Sequence, residues 1–498
     1  MKQLNPVFII SLGIVLALVA LGALAPNLLD SSSAIVHSFI LERFGFAYLL
    51  AGIAFLGFCL VMAIGPYGKL KLGADEEKPQ YGYFGWFSML FAAGMGIGLI
   101  FWGVAEPLSH YIAPPEYLEA GTPESAAFAM RYSFFHWGLH PSAIYIVMSL
   151  SLAYFSFRRG MPPLISSCFY PLIGDHIYGV VGKAIDILAV FATVFGVATS
   201  LGLGALQIGG GLSEVFGIPG GMTTTLIIIA VVTVLYLISS MTGLDKGIQI
   251  LSRTNVFIAL ILLAAVAILG PTNFILDVFT DTLGAYLSQL LPMSLTTAPF
   301  EGHDWINSWT VFYWAWWISW SPFVGLFVAG ISRGRTVREF VLGALLVPAL
   351  LAFVWFSVFG GAALHMELRE GLDIASGAVA DSSGALFVVL GAFPLSGVLS
   401  ILAVLLLSVF FITSADSATF VLAMMTSRGS FSPPAAKRIG WGVVQSSAAA
   451  VLLLSGGLEA LQRMAIVAAL PFMFVMLFMM RSLLRAMSYE LRYERSSN

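Results

Sequence analysis

The sequence has little charge. Only 10% of its 498 residues are Asp, Glu, Lys or Arg, and 59% are hydrophobic; soluble domains carry about 25% charged residues. This excludes a water-soluble fold and sets the class as an all-α integral membrane protein held in a lipid bilayer. The net charge is −3, so no nucleic acid partner is indicated. Cysteine is nearly missing as well. Cys59 and Cys168 sit in apolar surroundings and read as packing residues, with no disulfide. Long polar stretches are also missing, so no second folded domain is expected. The first apolar run, from Val7 to about Ala25, lacks a convincing cleavage site and reads as a retained span, not a signal peptide.

What the chain has instead is apolar runs. A helix needs about 20 apolar residues to cross the hydrocarbon core. That ruler places twelve transmembrane helices, near 7–27, 46–65, 84–104, 127–155, 184–208, 222–240, 254–270, 305–329, 338–363, 396–425, 436–455 and 463–481. Lysine and arginine gather at the N-terminus, at every second loop (Lys69, Lys71, Arg158, Arg159, Arg333 and Arg335 among them) and at the C-terminal end from Arg481 onward. The opposite side is rich in acids such as Glu116, Glu119 and Asp304. The positive-inside rule then puts both termini in the cytoplasm. Residues 272–295 are amphipathic and read as an interfacial helix on the outer face.

Two spans carry interruptions. Span three, FGWFSMLFAAGMGIGLIFWGVAEP, holds Gly94, Gly96 and Gly98 in its middle, and each glycine costs a helix roughly 1 kcal/mol relative to alanine. Either the helix unwinds there and faces a cavity, since lipid-exposed backbone cannot be left bare, or the small residues let helices pack closely. Span eight, WTVFYWAWWISWSPFVGLF, holds Ser319, Ser321 and Pro322, and proline removes a backbone donor and loosens the preceding turn. Interrupted spans five apart fit two five-helix repeats of opposite topology. The division is then two N-terminal helices and a loop (1–83), a first repeat (84–271), the interfacial segment (272–304), a second repeat (305–484) and a short tail (485–498).

Span eight also holds Trp309, Trp314, Trp316, Trp317 and Trp320; span four holds Trp137 and Tyr145. An interfacial belt accounts for Trp309 but poorly for the three tryptophans at mid-span. Two readings stand: core packing, or an aromatic box for a permanent cation, held by ring faces because it has no hydrogen to donate. Neither span has Asp or Glu at its middle, which fits a zwitterion that carries its own anion. Thr413 and Ser414, in FFITSADS, are mid-membrane hydroxyls that either bond back to their own helix or offer oxygens to sodium. Asp416 lies just beyond; an intramembrane acid is functional by default, but no role follows from the sequence. His136 and His140 lie four apart, a metal-binding spacing, with no third ligand evident. No catalytic grouping stands out, so an enzyme is not expected.

The segments AAGMGIGLIFWGVAEPL, FFHWGLHPSAIY and WTVFYWAWWISWSPFVG together resemble the betaine/choline/carnitine transporter (BCCT) family, and the resemblance runs along essentially the whole chain. It implies a leucine-transporter-like fold of inverted five-helix repeats, assembled as a homotrimer in the bacterial inner membrane. It places the substrate in a box formed by Trp137, Tyr145, Trp316 and Trp317, with Met95 and Gly98 of the glycine segment beside it. Trp320, Phe323 and Phe327 match positions along the path to the cytoplasm. HPSAIY departs from the family's HPWAIY: Ser142 replaces a ring and puts glycine betaine itself in doubt, in favour of carnitine, ectoine or dimethylsulfoniopropionate. The resemblance also implies a sodium site from the carbonyls of Ala92, Met95 and Phe411 with the hydroxyls of Thr413 and Ser414. A second sodium site would rest on Thr193 with Phe323, and is impaired or shifted because Val197 stands where a threonine is expected. Gly98 stands where proton-coupled members carry Asp. Asn255 and Val324 stand where sodium-independent exchangers carry Arg and Met, although Arg253 lies within a two-residue register error. The short tail implies weak or absent osmotic activation. The expectation is a sodium-coupled symporter for a small zwitterion; the alternatives are a sodium-independent exchanger and a betaine-binding membrane sensor.

Overall fold

A computed structural model describes residues 5–94, 96–242 and 245–497. Among the described residues the chain is helical throughout, apart from one isolated antiparallel bridge between Lys71 and Thr336. Nine helices among them are long and apolar enough to cross a membrane, or ten if one sharply bent pair is counted as a span. The long helices are α1 (Pro6–Leu24), α2 (Pro26–Ile64), α3 (Tyr83–Gly94), α4 (Ile97–Ile112), α5 (Pro123–Trp137), α6 (Leu139–Ala153), α7 (Val180–Phe216), α8 (Met222–Thr242), α9 (Asp245–Leu269), α10 (Thr272–Leu295), α11 (Phe312–Gly330), α12 (Val337–His365), α13 (Ser396–Met425) and α14 (Ala435–Ser497).

Three features depart from the sequence reading. The second helix does not start near residue 46; α2 runs for 39 residues from Pro26. Its first turns, outside the span expected at 46–65, carry an ion pair between Asp30 and Arg463 of α14 at 2.7 Å. Span three reaches beyond residue 104, because α4 continues through Pro107 to Ile112. Span eight is not broken at Pro322: α11 is continuous, preceded by a wide π-type turn over Asn307–Val311. The reason is local. Pro322 cannot donate to the carbonyl of Ile318, and the Ser321 hydroxyl donates there instead, at 2.8 Å.

Other expectations hold. The span-three helix is interrupted, with Gly96 extended (φ −112°, ψ 175°) before α4. Residues 272–295 are helical and turn away from the end of α9 by 108°. α14 contains a kink at Gly456 and Gly457; Gly457 adopts φ 62°, ψ −141°, a conformation reserved for glycine. The segments Pro123–Arg158, Val180–Phe216 and Asp304–Gly330 are the most enclosed, whereas α1 and α8 present most of their apolar surface outward. The enclosed segments carry the residues of the candidate box.

One end of the bundle is fastened by Arg335, in the loop between α11 and α12. Its guanidinium lies 3.9 Å from the ring centre of Trp86 and 4.8 Å from that of Tyr83, and it donates to the Tyr81 carbonyl at 2.8 Å. The Trp86 indole donates to Ser332 at 2.9 Å. The start of α3 is thus tied to the loop that follows α11. Desolvated cation–π contacts are worth about 2 kcal/mol. Arg335→Ala should lower stability in detergent by roughly that amount, read as the midpoint of thermal unfolding. Arg333→Ala, half-exposed, should change it by less than about 1 kcal/mol.

Candidate functional site

The helix break between α3 and α4 opens beside a cavity enclosing about 740 Å³ of unfilled space, its mouth included. Gly96 and Gly98 line it with Trp137, Ser142, Tyr145, Trp316, Trp317 and Trp320. No Asp, Glu, Lys or Arg is among the described residues that line it. The rings are set by hydrogen bonds at their far ends. The Trp317 indole donates to the His136 carbonyl at 3.1 Å, and the Trp316 indole to the Gly196 carbonyl at 3.4 Å. Trp316 and Trp317 lie parallel, 4.7 Å apart, and Trp137 stands edge-on to Trp317 at 4.8 Å. Tyr145 stands 6.0 Å from Trp317 and 6.2 Å from Trp320. Its hydroxyl is buried and has no hydrogen-bond partner among the described residues. Gly98 is required by closeness: a Cβ there would lie 2.4 Å from Trp316 and 3.1 Å from Trp137.

Ser142 lines the cavity, and its hydroxyl donates back to the Gly138 carbonyl at 3.2 Å. Phe323 lies beyond Trp320, at 5.4 Å, off this cavity and in a second one of about 1000 Å³, mouth included, with Phe327, Asp416 and Arg438. Met95 lies outside the described residues.

The sodium candidates are placed as follows. Ala92 is in the last turns of α3. Phe411 is fully buried, and a Cβ on Gly204 of α7 would touch both Phe411 (3.4 Å) and Ile97 at the start of α4 (3.0 Å). The middle of α13 and the helix break therefore meet at Gly204. Thr413 is buried and donates to the Val409 carbonyl at 2.9 Å; Ser414 is half-buried beside it. Thr193 likewise donates to its own helix, at Ala189, 2.7 Å away. Asn255 is buried and Arg253 exposed, so the buried position on that face of α9 carries the amide and not the guanidinium.

The residue that sequence reading missed is Glu106. It is fully buried. Oε1 lies 2.7 Å from His136 Nδ1 and 3.2 Å from His110 Nε2; Oε2 accepts from the Trp137 indole at 2.8 Å and the Tyr313 hydroxyl at 2.5 Å. His136 Nε2 meets the Thr310 hydroxyl at 2.9 Å. The 20-residue ruler ended span three at 104 and left Glu106 outside the membrane; the run GVAEPL, with its acid between apolar residues, was the available signal. Glu106, His110 and His136 hold their polar atoms within 4.8 Å of one another, and these atoms are already engaged in hydrogen bonds with each other. His136 and His140 do not converge as their spacing suggested. His140 turns to Ser294 at 3.0 Å and stacks on Trp314.

Comparison with known proteins follows this geometry. Residues 6–492 match the betaine/carnitine/choline family of transporters. The chain is 51% identical to the glycine betaine transporter OpuD of Bacillus subtilis over 99% of this chain and 96% of the relative. It is 45% identical to a probable glycine betaine transporter of Desulfitobacterium hafniense, covering 98% of both chains. It is also 45% identical to an ectoine/hydroxyectoine transporter of Virgibacillus pantothenticus, covering 97% of this chain and 96% of that one.

The Gly98 contact generates a test. Gly98→Ala should leave the protein folded and weaken binding of a quaternary-ammonium zwitterion by about tenfold or more, because the methyl group displaces Trp316. Titration followed by tryptophan fluorescence would read it.

Proposed function

This chain belongs to the betaine/carnitine/choline transporter family, and we propose on that premise that it is a sodium-coupled symporter. Its substrate is a quaternary-ammonium or sulfonium zwitterion of the betaine, carnitine, ectoine or dimethylsulfoniopropionate type, imported by alternating access. It is a membrane transporter and not an enzyme. The observation that carries the substrate class is the cavity itself: Trp137, Trp316, Trp317 and Tyr145 surround a space lined by no charged side chain among the described residues. Ring faces attract a cation that has no hydrogen to donate. The unpartnered Tyr145 hydroxyl is placed to donate to the carboxylate such a substrate carries.

Sodium is assigned to the carbonyls of Ala92, Met95 and Phe411 with the hydroxyls of Thr413 and Ser414, supported by the meeting of α13 and the helix break at Gly204. Both threonine and serine retain acceptor lone pairs while donating elsewhere. A second sodium site at Thr193 is left incomplete. The architecture proposed is twelve spans in inverted repeats, 84–271 and 305–484, taking α3 with α4 as one span, α9 as one and the two arms of α14 as two. The assembly proposed is a homotrimer in the bacterial inner membrane with both termini cytoplasmic.

The experiment is uptake of labelled glycine betaine, carnitine, ectoine and dimethylsulfoniopropionate into proteoliposomes, with and without an inward sodium gradient. Uptake only with sodium is expected, and uptake without it, driven by internal substrate, would establish an exchanger instead. Trp317→Ala should weaken substrate affinity by about tenfold or more. Thr413→Ala with Ser414→Ala should abolish sodium stimulation; sodium dependence that survives the pair displaces the ion site.

A further inference from the structure

We propose that Glu106 is the buried counter-charge of the aromatic box. It is an ionised carboxylate that holds Trp137 and Tyr313 and raises the cavity's preference for a permanently cationic head over an uncharged head of the same shape. The inference rests on the reading of this cavity as a quaternary-ammonium site, and it assigns a positioning residue that does not itself line the cavity.

The hydrogen bonds fix the charge. An indole N–H can only donate, so Glu106 Oε2 accepts from Trp137, and the Tyr313 hydroxyl faces the same oxygen. Oε1 faces ring nitrogens of His110 and His136. His110 Nδ1 is buried without a partner among the described residues; a doubly protonated ring would strand a charged N–H there, so His110 is neutral and donates through Nε2. The only hydrogen-bond partner of the Thr310 hydroxyl among the described residues is His136 Nε2, so we assign the hydroxyl as donor and the ring as neutral, with its proton on Nδ1 facing Oε1. Two neutral rings and one carboxylate leave the cluster with a net negative charge. Among the described residues no Lys or Arg pairs with Glu106, so no cationic side chain there cancels its field.

Trp137 lies between that charge and the cavity. Its Nε1 is on Glu106, and its Cη2 edge is beside Gly98, next to Trp316. A bond from an indole N–H to a carboxylate is charge-assisted and polarises the donor, pushing electron density toward the ring face that meets a cation. Tyr313, held by the same oxygen, is stacked on Trp317 at 5.9 Å. Glu106 therefore sets the orientation of one box ring directly and supports a second through Tyr313. In a dry interior its charge also acts on the substrate through space.

A purely structural role would damage the box for every ligand alike, and this separates the two possibilities. The full-length protein is titrated with glycine betaine and with tert-butylacetate, which has the same shape with carbon in place of the charged nitrogen. Glu106→Gln is expected to weaken glycine betaine by at least about tenfold and to leave tert-butylacetate unchanged or tighter, so that the ratio of the two dissociation constants collapses. Equal weakening of both ligands, or an unchanged ratio, overturns the proposal. Glu106→Asp keeps the charge and should hold the ratio within about threefold of the wild type; it decides alone should the glutamine variant not fold, and a collapsed ratio in it overturns the proposal. If the wild-type protein shows no preference for glycine betaine over tert-butylacetate, the reading of the cavity falls and the proposal with it. A preference that survives Glu106→Gln overturns the proposal alone.

Discussion

Inside a bilayer a polar group has no water to turn to, so each one must find its partner within the protein. Much of this structure follows from that constraint. The carbonyl of Ile318, orphaned by Pro322, is taken up by Ser321, and α11 stays continuous where a soluble helix would bend. Serines and threonines across the bundle, including Thr193, Thr413 and Ser142, donate to carbonyls one turn back in their own chain. Glu106, the costliest group of all, collects four donors from three chain segments. At the interruption between α3 and α4, Gly96 lines a cavity.

The same constraint accounts for a cavity lined by rings and not carboxylates. A quaternary ammonium offers no hydrogen to a carboxylate, and a carboxylate in an empty cavity would wait uncompensated. Aromatic faces cost little to leave empty and still attract a cation. The negative charge is placed one layer back, where its hydrogen bonds are permanent. A neutral lining and a charged backing thus divide the tasks of tolerating emptiness and favouring a cation.

The sequence revealed much of this because its strongest signals are about composition and spacing. Apolar runs gave most of the helices, and the glycines at 94, 96 and 98 marked a true interruption. Trp316, Trp317 and Trp320 stood out because they lie too deep in span eight to serve as interfacial anchors, and the resemblance to the transporter family grouped Trp316 and Trp317 with Trp137 and Tyr145. What escaped was long-range pairing. Asp30, in the first turns of α2 that the span at 46–65 left out, has its partner, Arg463, 433 positions away. Glu106 looked external because three of its four donors come from residues 30 to 207 positions further on. The rescue of Pro322 by Ser321 is local, yet it depends on a side-chain rotamer that no pattern of residue types reveals.

The ring of donors around Glu106 has a mechanical side. Its members sit on α4, on the end of α5 and on the start of α11, so a single carboxylate rivets three chain segments together at one level of the bundle. Drawing any one of them away would strand charge in a medium that cannot solvate it, at a cost of several kcal/mol. These segments therefore travel as one block. The interruption before α4 and the kink at Gly456 and Gly457 in α14 lie outside that set of contacts. Trp137, a wall of the box at the end of α5, belongs to that block.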